Sequence, residues 1–270
     1  MTRTELISHI FTKKSYLCIG LDPDVHKMPA AFKQQPEAIF EFCAQIIDAT
    51  HPYCVAYKPN TAFFEQYGVA GWVALEKVMR YIPKTHFIIA DAKRGDIGNT
   101  ASAYAKTFFE TMCADAVTVS PYMGGDSVQP FLSFEQKWAI ILALTSNAGS
   151  QDFQQLRQEN GRRLYESVVL EAQNWGSPEN TMFVAGATHG SELAGIRRLA
   201  PNHFLLVPGV GAQGGSLKEV SGGALTAECG LLVNASRSVL YASASPDFAA
   251  AAQAEAHKLQ TEMAGYLGGG

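Results

Sequence analysis

Eight short apolar runs recur along the chain: YLCIGLD (16–22), CVAYK (54–58), FIIADAK (87–93), AVTVS (116–120), WAIILALTS (138–146), MFVAGAT (182–188), HFLLVPG (203–209) and GLLVNAS (230–236). Most are nearly continuous rather than alternating, the pattern of parallel strands covered on both faces. Helical spacing falls between them. In 36–49, Ile39, Phe42, Cys43, Ile46 and Ile47 recur at helical intervals behind Pro36, which suits a first turn. Residues 63–81 repeat the pattern through Phe64, Tyr67, Val73, Leu75, Val78 and Met79. Helices are also predicted over 162–175 and over 191–199, the second with Ser191 as its cap. The Gly-rich link after the seventh run encodes a helix only weakly, whereas the stretch from Pro246 is strongly helical. Strand and helix alternate without a linker or a shift in composition, as βαβ units require. The prediction is one α/β domain over 1–270, a parallel eight-stranded (β/α)8 TIM barrel, with an open doubly wound sheet as the other topology. Residues 268–270 read as a disordered tail.

Composition narrows the function. With 270 residues, 47% of them hydrophobic and 17% charged, the chain can bury one large core. A net charge of −4 with dispersed Lys and Arg argues against nucleic acid or an anionic membrane as partner. Five scattered cysteines without a CxxC read as reduced, mostly buried thiols of a cytoplasmic protein. No secretory leader and no membrane span are expected. The seven histidines form no ligand pattern, so no metal is expected.

Polar groups gather where the strands end, which in a barrel is the mouth. The first run ends in Asp22, the second in Lys58 followed by Asn60, the fifth in Thr145 and Ser146, the eighth in Ser236 and Arg237. The third, FIIADAKRGDIGNT, runs directly into charge. Strand alternation puts Ile89, Asp91 and Lys93 on one face, so an acid and an ammonium stand together if that face points inward. Asp96 follows Gly95, which permits a sharp turn; Arg94 has the opposite parity and reads as a bystander or a rim pair. A lysine flanked by carboxylates stays protonated and serves as a general acid or an electrostatic clamp, not as a Schiff-base nucleophile. Lys58 can bridge Asp22 and Asp91. A structural ion-pair network at the barrel rim would produce the same cluster.

Gly209, Gly211 and Gly214 match the dinucleotide fingerprint literally, but they follow the seventh strand, and no acid ends the next. The loops after strands seven and eight of a barrel commonly hold phosphate instead. Gln213 can add an amide there and Arg237 a guanidinium.

Taken together, GLDPD, YKPNTAFFE, DAKRGDIGNTA, LTSNAGS, LVPGVGAQGG and VNASRSVLYA resemble orotidine 5′-phosphate decarboxylase, and more narrowly its longer bacterial subgroup. The likeness runs from Asp22 to about Tyr241. It implies a homodimeric barrel that converts orotidine 5′-monophosphate to UMP and CO2 without a cofactor. By motif, Lys93 would protonate C6, Asp91 would flank the departing carboxylate, and Lys58 would complete an Asp–Lys–Asp–Lys array with Asp96. Asp22 and Asn60 would lie at the ribose. Asp96, Ile97 and Thr100 would reach the neighbouring subunit's site. Ser146 would meet the pyrimidine, and Gln213, Ser236 and Arg237 the phosphate. Two spellings depart from the family: Ala148 stands where a proline is expected, and His189-Gly190 follows Thr188. The competing readings are a Mg²⁺-dependent sugar-phosphate decarboxylase of the same superfamily, which carries an acid at the position of Lys58, a Schiff-base aldolase, and a non-catalytic phosphate-binding barrel.

Overall fold

Eight parallel strands close on themselves in sequence order. They are β1 (Leu17–Leu21), β2 (Ala56–Pro59), β3 (Phe87–Arg94), β4 (Ala116–Val119), β5 (Trp138–Leu144), β6 (Thr181–Ala185), β7 (Phe204–Pro208) and β8 (Leu231–Ala235). β1 pairs with β8 at Cys18↔Asn234, which seals the ring. The computed structural model describes residues 1–32, 38–186, 190–209 and 216–268. Pro36, Thr188, His189, Gly211, Gln213 and Gly214 lie outside these.

The near-continuous apolar runs are explained by burial on two sides. Every residue of β1, β6 and β8 is buried, one side chain turned to the barrel interior and the next to the helical layer. Alternate strands fill one interior layer: Trp138 of β5 meets Phe87 of β3 edge-on at 5.8 Å and Phe204 of β7 at 6.3 Å. All three rings are fully buried, each contributing on the order of 3 kcal/mol of hydrophobic stabilisation.

That layer sits at the strand starts and is covered by a helix that the apolar pattern did not suggest. Arg3–Lys13 is opened by Thr2, whose hydroxyl accepts from Glu5 N while the Glu5 carboxylate accepts from Thr2 N. Trp138 Nε1 donates to Met1 O at 2.9 Å, and the Arg3 guanidinium lies 5.4 Å over Phe204 and donates to Asn202 O. The floor of the barrel is thus closed, and ligands must enter at the opposite end.

Several predicted helices change their bounds. The segment 63–81 divides into Ala62–Glu65 and Gly68–Tyr81, because Gly68 at φ +59° cannot continue a right-handed helix. Ser191 lies inside Gly190–Leu199 rather than capping it. The weakly encoded link holds Leu217–Ala224, started by a Ser216–Glu219 capping box, and the last helix is Phe248–Leu267. Gly268 forms the C-cap of that helix through a bond to Ala264 O. Cys18, Cys43, Cys54 and Cys229 are buried free thiols, while Cys113 is exposed. Among the described residues, no helix is long and apolar enough to cross a membrane.

Candidate active site

The mouth of the barrel carries one fully engaged carboxylate. Asp91 Oδ2 accepts from Lys58 Nζ at 2.7 Å, and Oδ1 accepts from Lys93 Nζ at 2.6 Å and from Thr118 Oγ1 at 3.0 Å. Asp91 and Lys58 are buried, whereas half of the Lys93 side chain is exposed. Burial alone would raise the Asp91 carboxyl, but the Lys58 and Lys93 ammonium groups hold it well below the usual carboxylate range. Burial opposes charge on Lys58 as well, and Asp91 and Asp22 outweigh it, so its pKa lies above that of an ordinary lysine. An acid fixed as the anion and a lysine fixed as the cation form a permanent charge pair; Lys93 extends it towards solvent.

Simple strand parity does not account for this geometry. β3 and β4 pair at Ala90↔Val117 and again at Arg94↔Val119, so β3 spends extra residues across the interval. The surplus is a bulge, a device that re-aims side chains at strand ends. Within it Lys93 takes φ +47°, a left-handed conformation rare for a residue with a side chain. The turn assigned to Gly95 is therefore made at Lys93: Gly95 has no positive φ and instead packs against Ser120. Arg94 is a rim pair, bonded to Glu65 and lying over the Tyr104 and Phe108 rings.

A cavity of about 240 Å³ opens beside the array. Lys58, Asp91, Lys93 and Thr118 form its charged wall, Leu142, Val184, Leu206 and Pro208 its apolar side, and Thr145, Ser146 and Asn147 part of its rim. A flat ring with one ionic edge matches such a space. The rim is held from behind: Thr145 N donates to Gln154 Oε1, Gln154 Nε2 donates to Thr145 Oγ1, and both distances are 2.8 Å. At Gly186, a Cβ would fall 2.7 Å from Ser146 N, so this close approach requires glycine.

Asp22 follows β1. Its main-chain oxygen accepts from Tyr241 Oη at 2.8 Å, while its buried Oδ1 has no partner among the described residues. Asn60 bridges to Asp91 through the backbone, and its side chain accepts from Ala62 N. Ser236 directly follows β8, accepts from Asn234 Nδ2 at 3.1 Å, and lies so close to Gly20 of β1 that a methyl there would collide with its hydroxyl. Arg237 is exposed and opens the short helix Arg237–Leu240.

The structure therefore brings Lys58, Asp91, Lys93 and Ser146 to one cavity, with Asp22 acting electrostatically on Lys58. It does not bring Asp96, Ile97 or Thr100 to it: Asp96 Oδ1 accepts from its neighbour Ile97 N, and Ile97 and Thr100 are exposed. Gln213 lies outside the described residues. Sequence reasoning missed Thr118, Gln154 and Tyr241. For Thr118 a signal existed, since Ala116, Thr118 and Ser120 share a face and a hydroxyl on an interior face needs a partner. Among the described residues, no three His, Cys, Asp or Glu side chains form a metal-binding group.

Residues 15–253 match the model of the Orotidine 5′-phosphate decarboxylase / HUMPS family. The orotidine 5′-phosphate decarboxylase of Phocaeicola vulgatus is 54% identical over 266 residues, covering 97% of this chain and 98% of that protein. That of Flavobacterium johnsoniae is 54% identical over 267 residues, covering 98% and 97%. Among solved structures, Leishmania donovani OMP decarboxylase superposes with a TM-score of 0.83 at 40% identity, covering 97% of this chain and 99% of that one. With the charge array, the closed barrel and these full-length likenesses in agreement, the chain belongs to the orotidine 5′-phosphate decarboxylase / HUMPS family.

Proposed function

We propose that this barrel decarboxylates orotidine 5′-monophosphate to UMP and CO2, the last step of UMP biosynthesis, with no metal or organic cofactor. The observation that carries the reading is the Lys58–Asp91–Lys93 array facing an apolar wall across a cavity of about 240 Å³. In the reaction, the C6–carboxylate bond breaks and its electron pair stays on C6. The Lys93 ammonium stabilises that developing charge and then delivers its proton to C6. Asp91, held ionised, stands beside the substrate carboxylate and keeps Lys93 aimed; Lys58 neutralises it from the buried side. The apolar wall formed by Leu142, Val184, Leu206 and Pro208 takes the pyrimidine face, with Ser146 at its polar edge.

Asp22 suits the ribose, because its buried Oδ1, without a partner among the described residues, can accept from a hydroxyl. Asn60 lies nearby. Ser236, Arg237 and Gln213 take the phosphate at the other end, and that remote grip supplies binding energy to the reacting centre. Asp96, Ile97 and Thr100 serve the neighbouring site of a homodimer, in keeping with their outward position on a single chain. Free buried thiols fit a reducing cytoplasm.

The test is turnover of orotidine 5′-monophosphate, followed by loss of its absorbance, with and without EDTA. Equal rates are expected. A rate that vanishes in chelator would transfer the chain to the Mg²⁺-dependent branch, and no turnover in either condition would leave a ligand-binding barrel.

A further inference from the structure

We propose that Thr118 is a positioning residue of this site: its single hydroxyl clamps the β3 bulge and orients both Asp91 and Lys93. This rests on the decarboxylase reading above and adds a residue to it. Thr118 lies in the middle of β4 and is 1% exposed. Its Oγ1 accepts from Lys93 N at 2.9 Å and lies 3.0 Å from Asp91 Oδ1. A backbone N–H can only donate, and the ionised Asp91 can only accept. The hydroxyl proton therefore has one direction available, towards Asp91.

The register explains why a side chain is needed here. Between Ala90↔Val117 and Arg94↔Val119, the ladder is interrupted by the bulge, and the Lys93 amide has turned out of line at φ +47°. A left-handed residue with a Cβ is strained, so its conformation must be enforced from outside. The Thr118 hydroxyl stands in as the acceptor that the ladder would otherwise provide. The same group adds a donor to the carboxylate oxygen shared with Lys93 Nζ, so the backbone and the tip of Lys93 are referenced to one fixed point. Thr118 itself is held by the paired strand β5, through Thr118↔Ile140.

A residue that aims an acid affects the chemical step more than ground-state binding, and a misplacement of about 1 Å costs on the order of 100-fold in rate. Thr118→Val keeps the shape and removes the hydroxyl. It is expected to lower kcat on orotidine 5′-monophosphate roughly 10–100-fold, with KM and UMP affinity within about threefold of wild type. Thr118→Ser keeps the hydroxyl and is expected to stay within about threefold in kcat. Should the valine variant fail to fold, Thr118→Ala against Thr118→Ser makes the same comparison, because these two differ only in the hydroxyl. A valine variant with wild-type kcat overturns the proposal, as does equal loss in the valine and serine variants, or in the alanine and serine pair. A wild-type chain without turnover would instead sink the decarboxylase reading, which keeps the two failures apart.

Discussion

Lys93 Nζ lies 2.6 Å from Asp91 Oδ1, two residues back along the same strand, across a left-handed turn centred on the lysine itself. On a flat strand the two side chains would run parallel; here the bulge bends one onto the other. Lys93→Ala removes the ammonium and leaves Asp91 paired with buried Lys58. The variant is expected to fold, to bind UMP, and to lose at least about 10³-fold in kcat, since both proton donation and charge stabilisation go with the lysine. Stopped assays with concentrated enzyme measure this, and near-normal turnover refutes the assignment.

Arg237 tests the other end of the substrate. A guanidinium–phosphate bond contributes roughly 1.5–3 kcal/mol, so Arg237→Ala is expected to raise KM about 10–100-fold. Because Arg237 is exposed at a helix start, the fold should be indifferent. An unchanged KM for orotidine 5′-monophosphate excludes it from phosphate binding.

Sharing of sites between subunits is testable by mixing. Neither Asp96→Asn nor Lys93→Ala should be active alone. In a mixed dimer one site regains the native Lys93 and the partner's native Asp96. An equimolar mixture that re-equilibrates freely is expected to recover about a quarter of wild-type activity. Absence of recovery, with mixed dimers verified by native mass spectrometry, argues that each site is built from one chain.

Three histidines away from the mouth predict an acid-sensitive fold. Burial pushes His86 down to about 4, with help from Lys13, whose Nζ is 2.8 Å from His86 Nε2. His9 and His203 are lowered to about 4 by burial in the same way. Unfolded histidine titrates near 6.5, so between about pH 6.5 and 4 the unfolded chain binds more protons. Stability is therefore fully present above that window and falls as pH drops through it. Tm measured from pH 7 to 4.5 should decline steadily. His203→Phe, which removes two buried nitrogens that have no partner among the described residues, should flatten the decline. A Tm constant over this range contradicts the prediction.

The strands were legible because burial on both faces leaves an unbroken apolar run, and the charged strand ends were legible because little else places Asp and Lys directly after such a run. Asp91 and Lys93 were found together for a partly wrong reason: parity put them on one face, whereas the contact is made by a bulge that parity cannot encode. The helix Arg3–Lys13 escaped because only Arg3, Leu6 and Ile10 are buried on it, a face too narrow to stand out. The break at Gly68 was hidden because apolar spacing continues across it. Thr118 and Gln154 each act through a pair of hydrogen bonds to a neighbouring segment, and such contacts have no period to read.

The ring closes only where β8 meets β1, and this has a consequence in time. Lys58, Asp91, Lys93 and Thr118 all belong to β2–β4, made early in synthesis, whereas Ser236 and Arg237 follow the last strand. A nascent chain halted before Leu231 would already possess its reactive charges but not the proposed phosphate grip. It would also expose the unpaired borders of β1 and β7, which invite association with other chains. Emergence of the final strand from the ribosome would then be the moment at which a sticky, half-armed sheet becomes a vessel.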